Sequence, residues 1–336
     1  MTDIFEEFAM PEQLPEQDGS ITPGIHRRLL RFSNPRLSDF VWPLCEIRGN
    51  QPGPRLCISA GVHVNEVSAI EAAVRLQKLF DPQEMHGCVE IIPLINQPAR
   101  FQYSEYVCPI DGRNINFSFP GKSDGSFTEA LCDAITTEWT RGAACYVDMH
   151  GGDLREKVAF FSIYQRTGDD NFDAKARALA MCFDAEIVVG LPPKHMEQPG
   201  RPPTGFARQR RFSIMSEAGS HGVVEHDAVE YHVAGVLNIA RHIGILPEAR
   251  PQFARGRVPC DDYIWVDSPE DGEFHAVVDP GCQVSKGQQL GTIYSLFGDP
   301  LAPIVAPVDG LMLWRMTHPT LKAGMATLAI AVEERR

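Results

Sequence analysis

Short apolar runs alternate with segments of helical periodicity along most of this chain, and the alternation limits the folds it can adopt. "RLCISA" (55–60) and "CVEIIPLI" (88–95) are largely apolar runs, whereas "EVSAIEAAVRLQKLF" (66–80) repeats apolar residues at helical spacing. A strand without a polar face is buried on both sides, as in a parallel sheet covered by helices. We therefore predict an α/β fold in which helices pack around a mixed, largely parallel sheet.

The other predicted elements continue this order along the chain. Strands are predicted at 144–150, 158–164, 185–190 and 211–219. Helices are predicted at 128–140, 171–183 and 225–246.

The sequence changes character after Pro247, because glycine and proline recur and helical periods disappear. Segment 268–293 is echoed by segment 306–331, with proline and glycine at matching positions. Two copies of a strand–turn–strand unit predict a small β-barrel or sandwich with pseudo-twofold symmetry. We therefore expect two domains, 1–256 and 257–336.

The composition excludes several classes of protein. The 336 residues are 43% hydrophobic and 22% charged, which provides enough apolar material for a sizeable core. The formal net charge of -13 argues against a nucleic-acid partner, because such proteins carry a basic footprint. Apolar runs fall short of the roughly 20 residues that span a bilayer, so we expect no membrane partner.

The N-terminal segment and the cysteines indicate the cellular compartment. Residues 1–20 are acidic and lack the basic and apolar regions of a secretory signal. The nine cysteines include no CxxC pair and are predicted to be small buried hydrophobes in a reducing cytosol. We therefore expect a cytoplasmic protein, and the sequence leaves the formation of a homo-oligomer open.

Metal-ligating residue types follow two of the predicted strands. His63 and Glu66 lie directly after the strand that ends at Ala60, and His150 closes the strand "YVDMH". The carboxyl ends of parallel strands meet at one edge of the sheet, where ligands bind. A catalytic zinc usually has three protein ligands. Asp148 could orient His150 by accepting a hydrogen bond from its ring. The alternative for Glu66 is a helix-start carboxylate that only complements the helix dipole.

A zinc hydrolase also needs a general base that takes a proton from water. Glu217 ends the strand "RFSIMSE" and is followed by a small residue and a glycine. Its position at a third strand end predicts that role. The alternative is an ordinary charge at the end of a strand.

Four motifs occur in order along the chain. They are GxHxxE from Gly61, DGxNxNxxFPG from Asp111, DxHGG from Asp148 and ExG from Glu217. In this combination the chain resembles the succinylglutamate desuccinylase/aspartoacylase family, zinc hydrolases related to the zinc carboxypeptidases. The resemblance covers residues 50–336.

The resemblance implies a three-layer αβα catalytic domain with one zinc ion per chain. The zinc would be held by His63, Glu66 and His150, with Glu217 as the general base. The C-terminal segment is similar to a lipoyl/biotinyl carrier barrel. Its hairpin "APVDGL" has no lysine, which predicts a β-domain without a covalent cofactor.

The resemblance also names substrate residues, and here the sequence departs from the family pattern. Asn114 and Asn116 match the motif and are expected to bind the substrate. The arginine that commonly follows the second asparagine is Phe117 here, and a phenyl ring cannot form a bidentate ion pair with a carboxylate. For the arginine that stabilises the oxyanion, Arg113 is the expected residue, with Arg100 as a nearby alternative.

A basic segment offers another anion site. "RPPTGFARQRR" (201–211) carries four arginines and no acid, and Arg208 and Arg210 are expected to contact the substrate. The functional interpretation is a mobile loop over the active site. The alternative is a solvated loop that precedes a strand.

These observations predict a cytoplasmic, zinc-dependent amidohydrolase whose partner is a small N-acyl amino acid or N-acyl amine. A metallocarboxypeptidase or an esterase on the same fold is the enzymatic alternative. A non-catalytic small-molecule-binding protein is the alternative of another class. The complete set of ligand residues together with Glu217 favours the enzyme.

Overall fold

A computed structural model describes residues 22–102, 106–247 and 258–333 of the chain. The acidic N-terminal segment and the predicted domain boundary after residue 256 lie outside these ranges. None of the described helices is both long and apolar enough to cross a membrane.

The described residues form seventeen strands and five α-helices. The strands are β1 (Gly24–Leu30), β2 (Trp42–Arg48), β3 (Gln51–Ala60), β4 (His86–Ile92), β5 (Cys145–His150), β6 (Glu156–Val158), β7 (Phe161–Gln165), β8 (Ile187–Leu191), β9 (Ser213–Glu217), β10 (Val258–Asp267), β11 (Gly272–Ala276), β12 (Gln283–Val284), β13 (Gln289–Tyr294), β14 (Pro300–Val305), β15 (Gly310–Met316), β16 (Thr320–Leu321) and β17 (Ala326–Glu333). The helices are α1 (Val67–Leu76), α2 (Phe127–Ala134), α3 (Asp170–Ala180), α4 (Pro202–Ala207) and α5 (His226–His242).

Most strands belong to one large mixed sheet, which confirms the predicted α/β class. Its order is β1-β2-β4-β3-β5-β9-β7-β8-β10-β17-β15-β12, and β6 pairs with β15. Strands β4, β3, β5 and β9 run parallel to one another, whereas β7 is antiparallel to β9. The carboxyl ends of β3, β5 and β9 therefore lie side by side at one sheet edge.

Helices cover both faces of this sheet and form the outer layers. On one face, α1, α3 and α5 pack apolar residues such as Ala72, Leu179 and Val236 into a single buried cluster. On the other face, α2 contributes Leu131 to a second cluster, which Phe206 of α4 joins. The alternation of apolar strands and amphipathic helices thus produces the expected three layers.

The C-terminal strands form a smaller β-unit that is built from the internal repeat. Strands β11, β12 and β13 recur as β15, β16 and β17, and the short strand of each copy pairs with the first strand of the other copy. Strands β14-β13-β11-β16 form a separate four-stranded antiparallel sheet. This exchange of short strands gives the pseudo-twofold arrangement that the repeat predicts.

Hydrogen bonding crosses from the catalytic half into the C-terminal half. Strand β10 pairs in parallel with β8, and β15 pairs with β6. The predicted strand 158–164 is therefore wrong as a single element, because β6 faces the C-terminal unit and β7 returns to the central sheet. The large sheet continues through both halves.

Segment 201–211 also differs from the prediction. It begins with helix α4, whose six residues are all buried, and only the turn that follows is exposed. Tandem prolines are compatible with the first turn of a helix, because the amide hydrogens there have no helical partner. A mobile loop over the active site is therefore not what this segment forms.

Eight of the nine cysteines are buried free thiols, and Cys282 is exposed. This agrees with their predicted role as small apolar groups.

Candidate active site

The strand ends bring the three predicted metal ligands together. Gly61 leaves β3 with a positive φ of 66°, and the turn that follows delivers His63 and then Glu66, the N-cap of α1. His150 is the last residue of β5, the strand beside β3. The ligand atoms of the three side chains lie within 4.8 Å of one another, and all three residues are buried.

Two atoms of this cluster face each other without forming a hydrogen bond. Oε2 of Glu66 and Nδ1 of His150 lie 2.9 Å apart, yet both are buried atoms without a hydrogen-bond partner. A buried polar atom left unpaired is costly, so such atoms usually serve a ligand. Two imidazoles and one carboxylate are a donor set that suits a zinc ion.

Neighbouring groups fix the orientation of both histidine rings. Nε2 of His150 donates to Asp148 Oδ2 at 2.8 Å, which leaves Nδ1 free to face the cluster. Nε2 of His63 lies 3.1 Å from Asn114 Oδ1, which also accepts the backbone N–H of Asn116. An amide oxygen only accepts, so Nε2 of His63 donates to Asn114, while Nδ1 lies 2.6 Å from Oε1 of Glu66 and faces the cluster.

The electrostatics of the cluster favour its charged forms. Burial opposes protonation of His150, but Asp148 and Glu66 outweigh it and raise the pKa of His150 well above its usual value. Burial also opposes ionisation of Glu66, but His63 and His150 lower the pKa of Glu66 to about 2. Metal ligation requires neutral imidazoles, so a bound cation would replace the second proton of each ring beside the ionised carboxylate.

Glu217 lies where the sequence predicts it, at the end of β9 and in register with His150. Its carboxyl group lines the same cavity as His63 and Glu66. Among the described residues no group hydrogen-bonds to this carboxylate. Burial raises the pKa of Glu217 to about 8, and a cation beside it would lower that value.

The cavity above the cluster has a volume of about 140 Å³. Its polar lining includes two of the predicted ligands, His63 and Glu66, together with Asn114, Asn116 and Glu217, and Phe117 also lines it. The amide oxygen of Asn116 is buried without a partner, so it can accept from an N–H of a bound molecule. Its apolar side includes residues of the C-terminal strands, namely Tyr263, Trp265, Leu313, Trp314 and Ala329.

The other predicted substrate residues lie outside this cavity. Arg113 is 55% exposed and pairs with Glu129 at 3.3 Å, so its position does not support a role at the oxyanion. Arg208 is exposed, and Arg210 pairs with Asp169 at 2.6 Å. Arg208 and Arg210 lie in the exposed turn that follows the buried helix α4.

Tyr106, Glu156 and Arg201 also line the cavity, and none of them was predicted individually for this site. Tyr106 donates its hydroxyl to Glu156 Oε1 at 2.7 Å, and burial raises the pKa of Glu156 to about 7. Arg201 reaches the cavity from the residue that precedes α4. The run of charged residues after the DxHGG motif was a signal for Glu156, whereas no local pattern distinguishes Tyr106 or Arg201.

Comparisons with known proteins place the chain among relatives. Residues 52–243 match the family model described as the succinylglutamate desuccinylase/aspartoacylase catalytic domain. The chain is 25% identical to the N-alpha-acetyl-L-2,4-diaminobutyric acid deacetylase of Halomonas elongata over 292 residues. This alignment covers 84% of the chain and 82% of the relative.

Solved structures show the same fold. The product-bound ectoine utilization protein EutE (DoeB) of Ruegeria pomeroyi is 25% identical with a TM-score of 0.81, covering 93% of this chain and 96% of that one. A succinylglutamate desuccinylase/aspartoacylase of Rhodobacter sphaeroides is 23% identical with a TM-score of 0.80, covering 94% and 97%. Since the family model spans more than half of its residues, this chain belongs to the succinylglutamate desuccinylase/aspartoacylase family.

Proposed function

We propose that this protein is a zinc-dependent deacylase that hydrolyses the amide bond of a small N-acyl amino acid. The observation that carries the proposal is the buried cluster of His63, Glu66 and His150, of which His63 and Glu66 line a cavity together with Glu217. The facing, unpaired atoms of Glu66 and His150 support a metal ion at this position. The cavity volume of about 140 Å³ suits a small substrate.

His63 and His150 would hold the zinc through Nδ1, and Glu66 through its carboxylate. When bound, zinc supplies Lewis acidity that polarises the scissile carbonyl and lowers the pKa of water. Three protein ligands leave one coordination position for substrate, as in catalytic zinc sites. Asp148 and Asn114 keep the imidazoles in the tautomer that this binding requires.

Glu217 is the general base in this proposal. It takes a proton from the attacking water on a carboxylate oxygen and then delivers that proton to the leaving nitrogen. The other wall carboxylate, Glu156, is less free to do this. One of its oxygens accepts from the Tyr106 hydroxyl, and the other accepts from the backbone N–H of Asp153 at 2.9 Å.

The relatives support an amide substrate. The Halomonas elongata relative is named for the deacetylation of an N-acetylated diamino acid, and the family name refers to two further N-acyl amino acid hydrolases. All of these substrates combine a small acyl group with an amino acid. We propose the same chemical class for this chain.

A substrate panel tests the proposal directly. Zinc-loaded protein is incubated with N-acetyl and N-succinyl amino acids, their esters, and short peptides, and released amine is measured. We expect release from N-acyl amino acids and none from protein treated with a chelator. Release only from peptide C-termini or only from esters would favour a carboxypeptidase or an esterase, and no release from any substrate would favour a binding protein.

A further inference from the structure

Arg201 occupies an unusual position at the wall of the cavity. Its guanidinium carbon lies 4.6 Å from the ring centre of Phe117 and 5.2 Å from that of Tyr263. Phe117 is 46% exposed, so the three side chains lie where the cavity opens to solvent. The guanidinium is therefore in contact with two aromatic rings beside the metal cluster.

Among the described residues, the charge of Arg201 has no carboxylate partner. Its Nε is buried and lacks a hydrogen-bond acceptor. Within the described ranges, no carboxylate lies within ion-pair distance of its guanidinium. By contrast, Arg210 of the same segment pairs with Asp169, and Arg211 donates to the backbone oxygen of Thr136 at 2.6 Å.

Ring contacts explain how an unpaired guanidinium is kept in place. Aromatic faces attract a guanidinium and can stack on its plane. Contacts of this kind leave the N–H edge unused. That edge donates two parallel hydrogen bonds to a carboxylate, which is the strongest planar recognition available to arginine.

We infer that Arg201 binds the free carboxylate of the substrate and that Phe117 and Tyr263 hold its guanidinium for that purpose. The inference rests on the proposed function, because it names the substrate class of the same site. Phe117 does not bind the carboxylate here, and its ring supports an arginine supplied by another element. The preferred substrates are then N-acyl amino acids with an unblocked carboxylate.

Binding to a catalytically disabled enzyme tests this inference. Glu217→Gln protein is titrated with N-acetyl-L-methionine and with N-acetyl-L-methioninamide, using calorimetry. We expect the carboxylate to bind about ten- to hundredfold more tightly than the amide, as for a charge-assisted pair. Adding Arg201→Met should remove this difference by weakening only the carboxylate, and adding Arg201→Lys should restore part of it.

Three further variants complete the design. Arg141→Met removes an exposed arginine elsewhere on the surface and should leave the preference unchanged. Arg208→Met and Arg210→Met test the other arginines of the segment. The inference is overturned if the parent shows no preference or binds neither probe, if Arg201→Met keeps the preference or weakens both probes equally, or if Arg208→Met or Arg210→Met abolishes it.

This measurement is separate from turnover. The proposed function fails if zinc-loaded wild-type protein releases no amine, even when the carboxylate preference is present. The carboxylate inference fails if amine is released but Arg201→Met leaves the binding preference intact.

Discussion

Single residues that contact the predicted metal ligands orient the imidazole rings for metal binding. Asp148 is fully buried, accepts from His150, and also accepts from the Ser59 hydroxyl at 2.5 Å. Asn114 holds the ring of His63 in the same way. Asn114 therefore acts on a ligand, in addition to lining the cavity as the sequence predicts. Such supporting contacts are worth about 10- to 100-fold in metal affinity.

Replacing Glu217 with glutamine should reduce turnover without removing the zinc. Glutamine keeps the size of the side chain but cannot accept the proton, and general-base catalysis typically contributes on the order of 10² to 10⁴ in rate. Measured kcat should fall by that factor while zinc content stays at the wild-type level.

Glu156→Gln is the matched control for this variant. The oxygens of Glu156 are already engaged by Tyr106 and by the backbone N–H of Asp153, so the loss of kcat should be smaller. A Glu217→Gln enzyme with near-normal kcat, or a larger loss in Glu156→Gln, would show that Glu217 is not the base.

The sequence predicts some site residues well because their placement depends on local order. His63, Glu66, His150 and Glu217 each follow a strand of the same parallel set, so topology alone brings them together. The position of Arg201 depends on contacts with the rings of Phe117 and Tyr263, which are distant from it in sequence. Periodicity and motif spacing carry no information about such contacts.

At the scale of elements, two short segments frame the mouth of the cavity. The 3-10 turn Ile115–Phe117 presents Phe117, and helix α4 begins directly after Arg201. An isolated bridge between Phe119 and Gly200 joins the two segments through their backbones. The bridge therefore brings the backbones that carry the ring and the guanidinium close together.

Removing the ring of Phe117 should weaken carboxylate binding. In Phe117→Leu an apolar side chain remains but the aromatic face is lost, and a contact of this kind is worth about 0.5–1 kcal/mol at an exposed site. KM for a free-carboxylate substrate should rise by roughly two- to fivefold, with little change for its amide. An equal rise for both substrates would indicate that Phe117 only shapes the cavity.

The sequence predicts the order of strands and helices more accurately than it predicts the residues at which strands begin and end. The predicted alternation is present, but the single strand predicted at 158–164 begins at the last residue of β6 and runs into β7, because only two residues separate these strands. Their separation depends on β15, which lies far along the chain. Helix α4 was missed because two prolines and a glycine conceal a short buried helix.

At the scale of the whole molecule, the C-terminal unit is part of the active-site wall. Its strands continue the large sheet, and Trp265 and Trp314 contact each other edge-to-face at 5.2 Å within the cavity lining. The resemblance to a carrier barrel predicts a separate domain, and in the structure this unit also shares the large sheet and lines the cavity. Sheet pairing between distant segments could not be read from either half alone.

The C-terminal unit should carry no covalent cofactor. Its exposed lysines, Lys286 and Lys322, lie in the turns before β13 and β17, away from the hairpin that precedes β15. Intact-mass measurement of protein expressed with lipoyl and biotinyl ligases should give the unmodified mass. An added lipoyl or biotinyl group on either lysine would contradict this expectation.

The central claim is that His63, Glu66 and His150 hold a zinc ion that the protein needs for hydrolysis. Zinc per chain and amine release from an N-acyl amino acid should be measured together in wild-type protein and in His150→Ala, with circular dichroism to check folding. We predict one zinc and measurable release for wild type, loss of both after chelation, and recovery of both on adding zinc. His150→Ala should stay folded and lose both. Full zinc occupancy in folded His150→Ala, or wild-type turnover that survives removal of zinc, would contradict the account.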